Sequence, residues 1–493
     1  MELVGPAYKL ATKVLNGRLI APYQREGVTW MLWRELQKES PIKGGFLCDE
    51  MGLGKTVQII STILGNPDKK TLIVVPKSIV SQWKEEIEKF APNLKSFIHD
   101  GPSRTNDVKE FDPFDVIIAP YSIMVAKGKP KGEPTIMHSV KWGRVVLDEG
   151  HEIRNISSKL NASIRTLKSQ IKWVISGTPV YNSIKDFVAL CGFIGIPQNM
   201  VQGMQLKVKE TFVMRRTKQD VAEFNKRLEL PPCDFKNVEL EMYSEEYNLY
   251  QRVFDESREY IKELFATSQN IGMHSMFILE CFLRTRQAMI YPQLYLDGIA
   301  KKNETDVEIW NHPTKKMDTL LELIQTHPTE KSLVFCQFMG EMNHIETMLN
   351  SQGIETFRID GSVERDLRNS RIKEFRDSKN GCVFIIQIKA GGQGLNLQEA
   401  TRVYITSPSW NPATEMQAIA RSHRTGQTQR VVVRKLVYTG TEELPSIEET
   451  MMVLQNHKST VCADVLNDQR LATQIPVASK NVSIRDIKKI FRV

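Results

Sequence analysis

At 493 residues the chain is long enough for two or three domains, each with a full core, and its globular composition excludes wholesale disorder. Lys plus Arg number 66 against 58 Asp plus Glu, so the net charge of +8 is compatible with a polyanionic partner and equally with a merely basic surface. Seven cysteines, never closer than 42 residues apart, offer no zinc spacing and read as reduced thiols, while the N-terminus lacks a signal-peptide core and no apolar run approaches a membrane span; the expectation is a soluble intracellular protein with no structural zinc and no membrane contact.

The first predicted element is a Pro-punctuated entry into an amphipathic helix, Leu19 to Trp33. Gln24 there reads either as an incidental polar residue of a packing helix or as an adenine contact, since an amide pairs with both a donor and an acceptor. The apolar run Phe46-Leu47-Cys48 then leads through Asp49-Glu50-Met51-Gly52-Leu53-Gly54-Lys55-Thr56 into a buried helix stopped by Gly65 and Pro67. Strand, glycine loop and helix suit a triphosphate: Gly52 and Gly54 let backbone N–H groups approach an anion, Lys55 meets the β/γ-phosphates, and the Thr56 hydroxyl ligates magnesium. The general pattern places Gly at position 49, where this chain has Asp.

Thr71 to Val75, Val116 to Ala119, Val145 to Leu147 and Trp173 to Ile175 read as buried strands, with a helix carrying Ile79, Trp83, Ile87 and Phe90 on one face; the alternation predicts an α/β lobe. The third of these strands runs into Asp148-Glu149-Gly150-His151. Carboxylates at the C-terminal end of a parallel strand lie where α/β sheets bind ligands, so Asp148 reads as a magnesium ligand and Glu149 as the group that orients or deprotonates an attacking water. Ser176-Gly177-Thr178-Pro179 ends the next strand and reads either as a relay of nucleotide state or as a helix cap.

From 184 to 312 the pattern reads as long helical segments joining two lobes, and its basic cluster Arg215, Arg216 and Lys218 reads either as a solvated face or as a phosphate or interlobe contact. A second α/β alternation follows: Ser332 to Cys336, Phe357 to Ile359, Val383 to Ile386, Val403 to Ile405 and Val431 to Val433. Its glycine cluster, Lys389 to Leu397 with Gly392 and Gly394, can approach phosphates of nucleotide or nucleic acid through backbone N–H groups. Arg421 and Arg424 are three apart and are expected on one helical face, aimed at one partner; an arginine reaching a γ-phosphate is worth roughly 10³ to 10⁵ in rate, and the alternative is a salt-bridged surface helix. The expected divisions are a first RecA-like lobe at 1–183, a helical insertion or linker at 184–312, a second RecA-like lobe at 313–440 and a helical extension at 441–493. In that extension, a helix from Ser483 is expected to pack back on the second lobe or to serve as a small docking helix.

These motifs occur in order and, together with Met214 to Val221, Asp360-Gly361-Ser362, Trp410-Asn411-Pro412 and His423 to Gln427, the chain resembles the superfamily-two helicase-like ATPases of the Swi/Snf group over roughly residues 17 to 440. The DEGH box and Leu283-Arg284-Thr285-Arg286-Gln287 are similar to the subgroup that often carries a RING finger, absent from this sequence. The resemblance implies two RecA-like parallel-sheet lobes with helical insertions between them, ATP and Mg²⁺ as cofactors, and double-stranded DNA as partner, with room for a recruiting protein. It carries over Gln24 to adenine, Lys55 and Thr56 to phosphate and magnesium, Asp148 to magnesium, Glu149 to the hydrolytic water, and Arg421 and Arg424 to the second-lobe arginines. By motif position, Lys77, Ser78, Lys389 and Trp410 become DNA contacts. Gln387 and Ser407 depart from the group's pattern, which puts coupling rather than ATP binding in question. Members generally displace or remodel DNA-bound proteins as they translocate, and the location expected of this chain is the nucleus if its source is a eukaryotic cell, or a viral replication site or virion if it is viral.

Overall fold

The computed structural model describes residues 3–17, 19, 21–126, 134–177, 184–222, 231–267, 275–388, 395–410, 412–424, 427–454 and 484–493. They form two compact units, one up to Ala222 and one from Pro231 onward.

The first unit is built on seven parallel strands: β1 (Lys43–Leu47), β2 (Thr71–Val75), β3 (Ser96–Ile98), β4 (Val116–Pro120), β5 (Trp142–Asp148), β6 (Ser169–Ile175) and β7 (Val213–Met214). Their order is β3-β4-β2-β5-β6-β1-β7. The central strands β2 and β4 are buried at every position, which is why their sequences are nearly uninterrupted Val, Ile and Leu. The helix Lys55–Gly65 is buried from Val57 onward, and its Ile59, Ile60 and Ile63 share one core with Val28, Met31 and Leu32 of the helix Pro22–Leu36. Register matters most at the C-terminal ends. Leu47 of β1 pairs with Ile175 of β6, and Ile175 with Asp148 of β5, so three adjacent strands end level. The residues that follow them therefore leave the sheet along one edge, where α/β sheets hold ligands.

The second unit has six parallel strands, β8 (Cys233–Leu240), β9 (Ser332–Cys336), β10 (Thr356–Ile359), β11 (Val383–Gln387), β12 (Arg402–Ile405) and β13 (Val431–Tyr438), in the order β10-β11-β9-β12-β13-β8. Side chains alternate between two cores. Leu333 and Phe335 join Phe375, Phe384 and Ile386 on one face, while Val334 and Cys336 join Ile385, Tyr404, Met342 and Ile345 on the other. The C-terminal helix Ile484–Phe491 is built into the latter core, with Ile487, Ile490 and Phe491 buried and Phe491 stacked on Phe254 at 5.2 Å.

The stretch read as one helical region, 184–312, divides between the units. Its first part contains β7, which pairs with β1, whereas β8 lies within the remainder and pairs with β13 along all eight residues. The sequence Cys-Asp-Phe-Lys-Asn-Val-Glu-Leu conceals β8 because it is an edge strand, exposed at Phe235, Lys236, Asn237 and Glu239 and so lacking the apolar run of a central strand. Two further strands, β3 and β7, have only three and two residues and carry too little pattern to be read.

Candidate nucleotide site

The loop from Asp49 to Gly54 leaves β1 and enters the helix at Lys55. Gly52 and Gly54 both take positive φ, 90° and 76°, conformations that side chains disfavour, and Gly54 serves as the left-handed N-cap. A Cβ on Gly54 would stand 2.6 Å from the Gln24 amide nitrogen, so the Gln24 side chain lies directly against the loop; it also donates to the Leu53 carbonyl at 3.3 Å. Gln24 is thus buried at the site rather than on a remote packing face. Lys55 Nζ donates to the carbonyls of Asp49 at 2.7 Å and Glu50 at 3.3 Å. Thr56 follows in the first turn of the helix.

Asp148 and Glu149 emerge from the end of β5. Asp148 Oδ2 accepts from the Trp83 indole at 2.7 Å, its Oδ1 accepts from the Glu149 N–H at 2.9 Å, and its carbonyl accepts from the Tyr121 hydroxyl at 2.8 Å. Burial, then the charge of Glu149, pushes the Asp148 carboxyl up to about 6, against the Trp83 hydrogen bond and the positive charge of Lys55. Glu149 is a non-glycine residue in the left-handed region, φ 50° and ψ 48°, a strain characteristic of functional sites. Its Oε2 lies 3.2 Å from His151 Nδ1. At Gly177, past the end of β6, a Cβ would be 4.0 Å from Lys55 Nζ and 3.6 Å from Met51, so this turn also closes on the loop. Thr178 and Pro179 lie outside the described residues. A carboxylate, a hydroxyl and a backbone cradle fit Mg²⁺, which keeps several waters and needs few protein ligands besides substrate phosphates. Among the described residues there is no cluster of three or more His, Cys, Asp or Glu able to hold a metal without such help.

The basic cluster left open by the sequence resolves at Arg216. Its Nε and NH2 donate to Asp49 Oδ1 and Oδ2 at 2.9 and 2.6 Å, and the segment runs beside the loop through Cys48 N–H to Met214 O at 2.7 Å and Glu50 N–H to Arg216 O at 2.8 Å. Lys218 N–H donates to Glu50 at 2.8 Å. The helical spacing places Trp83 on a packing face, and nothing in the sequence singles out Tyr121. The signal for Trp83 was available, because a buried indole N–H needs an acceptor.

In the second unit the helix expected to carry Arg421 and Arg424 ends at Ile419, and both arginines follow in tightened turns, so they do not share a helical face. Arg421 N–H bonds back to Ala418 O at 3.1 Å in a tightened turn, and two bonds tie this turn to residues 395–400: Leu397 N–H donates to Arg421 O at 3.0 Å and Ser422 Oγ donates to Ala400 O. Arg421 is buried and Arg424 half-buried. Lys389, Gly392 and Gly394 lie outside the described residues. Trp410 is mostly buried, edge-on to Phe282 at 5.7 Å, a core position. Lys77 is exposed and Ser78 half-buried in a single 3₁₀ turn at the C-terminal end of β2. Of the two departures, Gln387 accepts from Gly361 N–H at 3.3 Å, and Ser407 is fully buried with its carbonyl accepting from Gln337 at 3.4 Å.

Residues 23–203 match the SNF2-related domain, and residues 315–426 match the helicase conserved C-terminal domain. The chain carries an SNF2-related domain followed by a helicase conserved C-terminal domain. Similar proteins include the DNA repair protein RAD5B of Arabidopsis thaliana, 25% identical over 91% of this chain and 47% of that protein. An uncharacterized ATP-dependent helicase of Mycoplasma pneumoniae is 30% identical over 90% of this chain and 42% of its own length. The chain thus spans about half the length of the curated relatives it matches. Among solved structures, the Sulfolobus solfataricus SWI2/SNF2 ATPase core in complex with dsDNA aligns over 97% of both chains at 24% identity with a TM-score of 0.40. No helix among the described residues is long and apolar enough to cross a membrane.

Proposed function

We propose that the chain is a DNA-dependent ATPase that translocates on double-stranded DNA and displaces or remodels proteins bound to it. The observation that carries the ATP half is the level ending of β1, β5 and β6, which gathers Lys55, Asp148, Glu149 and Gly177 around one glycine loop. In this reading the loop N–H groups and Lys55 bind the triphosphate, Gln24 holds the base, Thr56 and Asp148 hold Mg²⁺, and Glu149 orients and deprotonates the attacking water. Magnesium, when bound, neutralises charge developing on the phosphate oxygens. Arg421 and Arg424 are proposed, from the resemblance alone, as the arginines that act on the same phosphates.

The DNA half is supported by the match to the SNF2-related and helicase C-terminal domains and by relatives such as the plant DNA repair protein. Lys77 and Ser78 are the candidate backbone contacts that lie at a surface. Contact through phosphates makes binding insensitive to sequence and steeply dependent on salt. The test is steady-state ATP hydrolysis with and without a blunt duplex, across a salt series. Duplex should raise turnover, and the stimulation should fall as salt rises; turnover indifferent to duplex would refute the DNA half. A triplex-displacement assay run beside a strand-displacement assay then separates translocation from unwinding, with release of the third strand and no duplex separation expected.

A further inference from the structure

Asp49 occupies the position that the general phosphate-loop pattern gives to glycine, and the structure shows what it does there. Its side chain is fully buried, so the charge must be met inside the protein. Arg216 meets it with two parallel hydrogen bonds, the geometry in which a guanidinium binds a carboxylate most firmly. The same guanidinium continues past Asp49. NH1 donates to the carbonyl of Tyr23, the residue before Gln24, and NH2 to Gln58 Oε1 at 3.1 Å, while Gln58 Nε2 closes the ring on Asp49 Oδ2 at 3.1 Å. Asp49 is tied to the reacting end as well, because its carbonyl accepts from Lys55 Nζ. A second observation bears on the same cluster. A Cβ on Gly27 would fall 1.9 Å from Gln58 Oε1 and 2.8 Å from Arg216 NH2, so the helix Pro22–Leu36 leaves room for this ring at that position.

We propose that Arg216 is a positioning residue for the nucleotide: one guanidinium sets the phosphate loop and Lys55 through Asp49, and the Gln24 segment through the Tyr23 carbonyl. The aspartate at position 49 is then the partner that makes this coupling possible, and the segment after β7 acts as a brace for the loop. The proposal rests on the reading of the site as an ATP site and adds a residue outside its phosphate and acidic motifs.

The test uses the full chain and four variants: Arg216→Lys, Asp49→Asn, the double variant and Gly27→Ala. For each, the affinity for a fluorescent ADP analogue, KM and kcat for ATP, and the melting temperature are measured. Arg216→Lys keeps the charge but loses the fork that reaches three partners at once. It should raise KM for ATP about tenfold with a smaller fall in kcat, and Asp49→Asn should do the same. The double variant should be no worse than the poorer single one, because both remove one interaction. Gly27→Ala should raise KM in the same direction with every polar partner still present. Lowered melting temperatures with KM and kcat per folded molecule unchanged would overturn the proposal, as would additive effects in the double variant. A wild-type protein that neither binds nor hydrolyses ATP would sink the ATP reading and this proposal together; an active wild type whose variants match it sinks this proposal alone.

Discussion

The Glu149→Gln protein is expected to bind ATP as the wild type does and to hydrolyse it about 10² to 10⁴ times more slowly, the range for removing a positioned general base. The substitution preserves shape at a demanding position. Glu149 sits in left-handed backbone, its N–H donates to Asp148, and its carboxylate faces His151; glutamine retains the backbone bond and an oxygen toward the imidazole. What is lost is the negative charge able to take a proton from water. That same charge helps to raise the Asp148 carboxyl to about 6, so its removal eases the carboxylate form of Asp148 and gives no reason for nucleotide binding to weaken. The contrast is Lys55→Ala, which removes an ammonium from the phosphate loop and should lower kcat/KM by about 10² to 10³ with visibly weaker ATP binding. Single-turnover hydrolysis and equilibrium titration with a fluorescent nucleotide separate the two. A Glu149→Gln protein with kcat within threefold of wild type would remove Glu149 from the reaction.

The parts of this site that the sequence made legible are those whose chemistry is local. Gly52, Gly54, Lys55 and Thr56 announce a loop because positive φ and a helix start are written in adjacent residues, and Asp148 with Glu149 announces a strand end because the apolar run stops at them. Arg216 was ambiguous for the opposite reason. Its meaning comes from Asp49, 167 residues away, and nothing within its own segment says that it is buried on a carboxylate. Trp83 was read from its spacing as one more apolar residue, although its indole finds Asp148. Helix length misleads at Arg421 and Arg424, where the chain leaves the helix after Ile419 and turns so that Arg421 O accepts from Leu397 N–H and Ser422 Oγ donates to Ala400 O. Edge strands such as β8 are weakly written for a related reason: only central strands, covered on both faces, must be apolar throughout.

The largest stability effect should come from a pair that no motif marks. Glu35 and Arg144 are both almost wholly buried, and each oxygen of Glu35 is doubly satisfied: Oε1 by Arg144 Nε at 2.7 Å and Trp173 Nε1 at 2.9 Å, Oε2 by Arg144 NH2 at 2.5 Å and Asn66 Nδ2 at 2.8 Å. Arg144 also donates to Thr71 Oγ1 at 3.0 Å and to Asn66 O at 3.2 Å. The helix Pro22–Leu36, the end of the helix that follows the phosphate loop, and β2, β5 and β6 are thereby joined at the edge of the sheet opposite the site. Glu35→Ala leaves a guanidinium buried without its carboxylate, and should destabilise the first unit by about 3–5 kcal/mol. For a unit of this size that corresponds to a fall in Tm of roughly 6–20 °C. The pair's net contribution is a separate matter, since its attraction is set against the desolvation of both ions. Replacing both partners with apolar residues, Glu35→Leu with Arg144→Met, should therefore recover much of the loss, whereas simple additivity would make the double variant worse than either single one. Denaturant unfolding followed by circular dichroism measures both quantities. A loss below about 1 kcal/mol for Glu35→Ala would mean that the guanidinium finds water or other acceptors when its partner is gone, and that the buried network does not hold these five elements together.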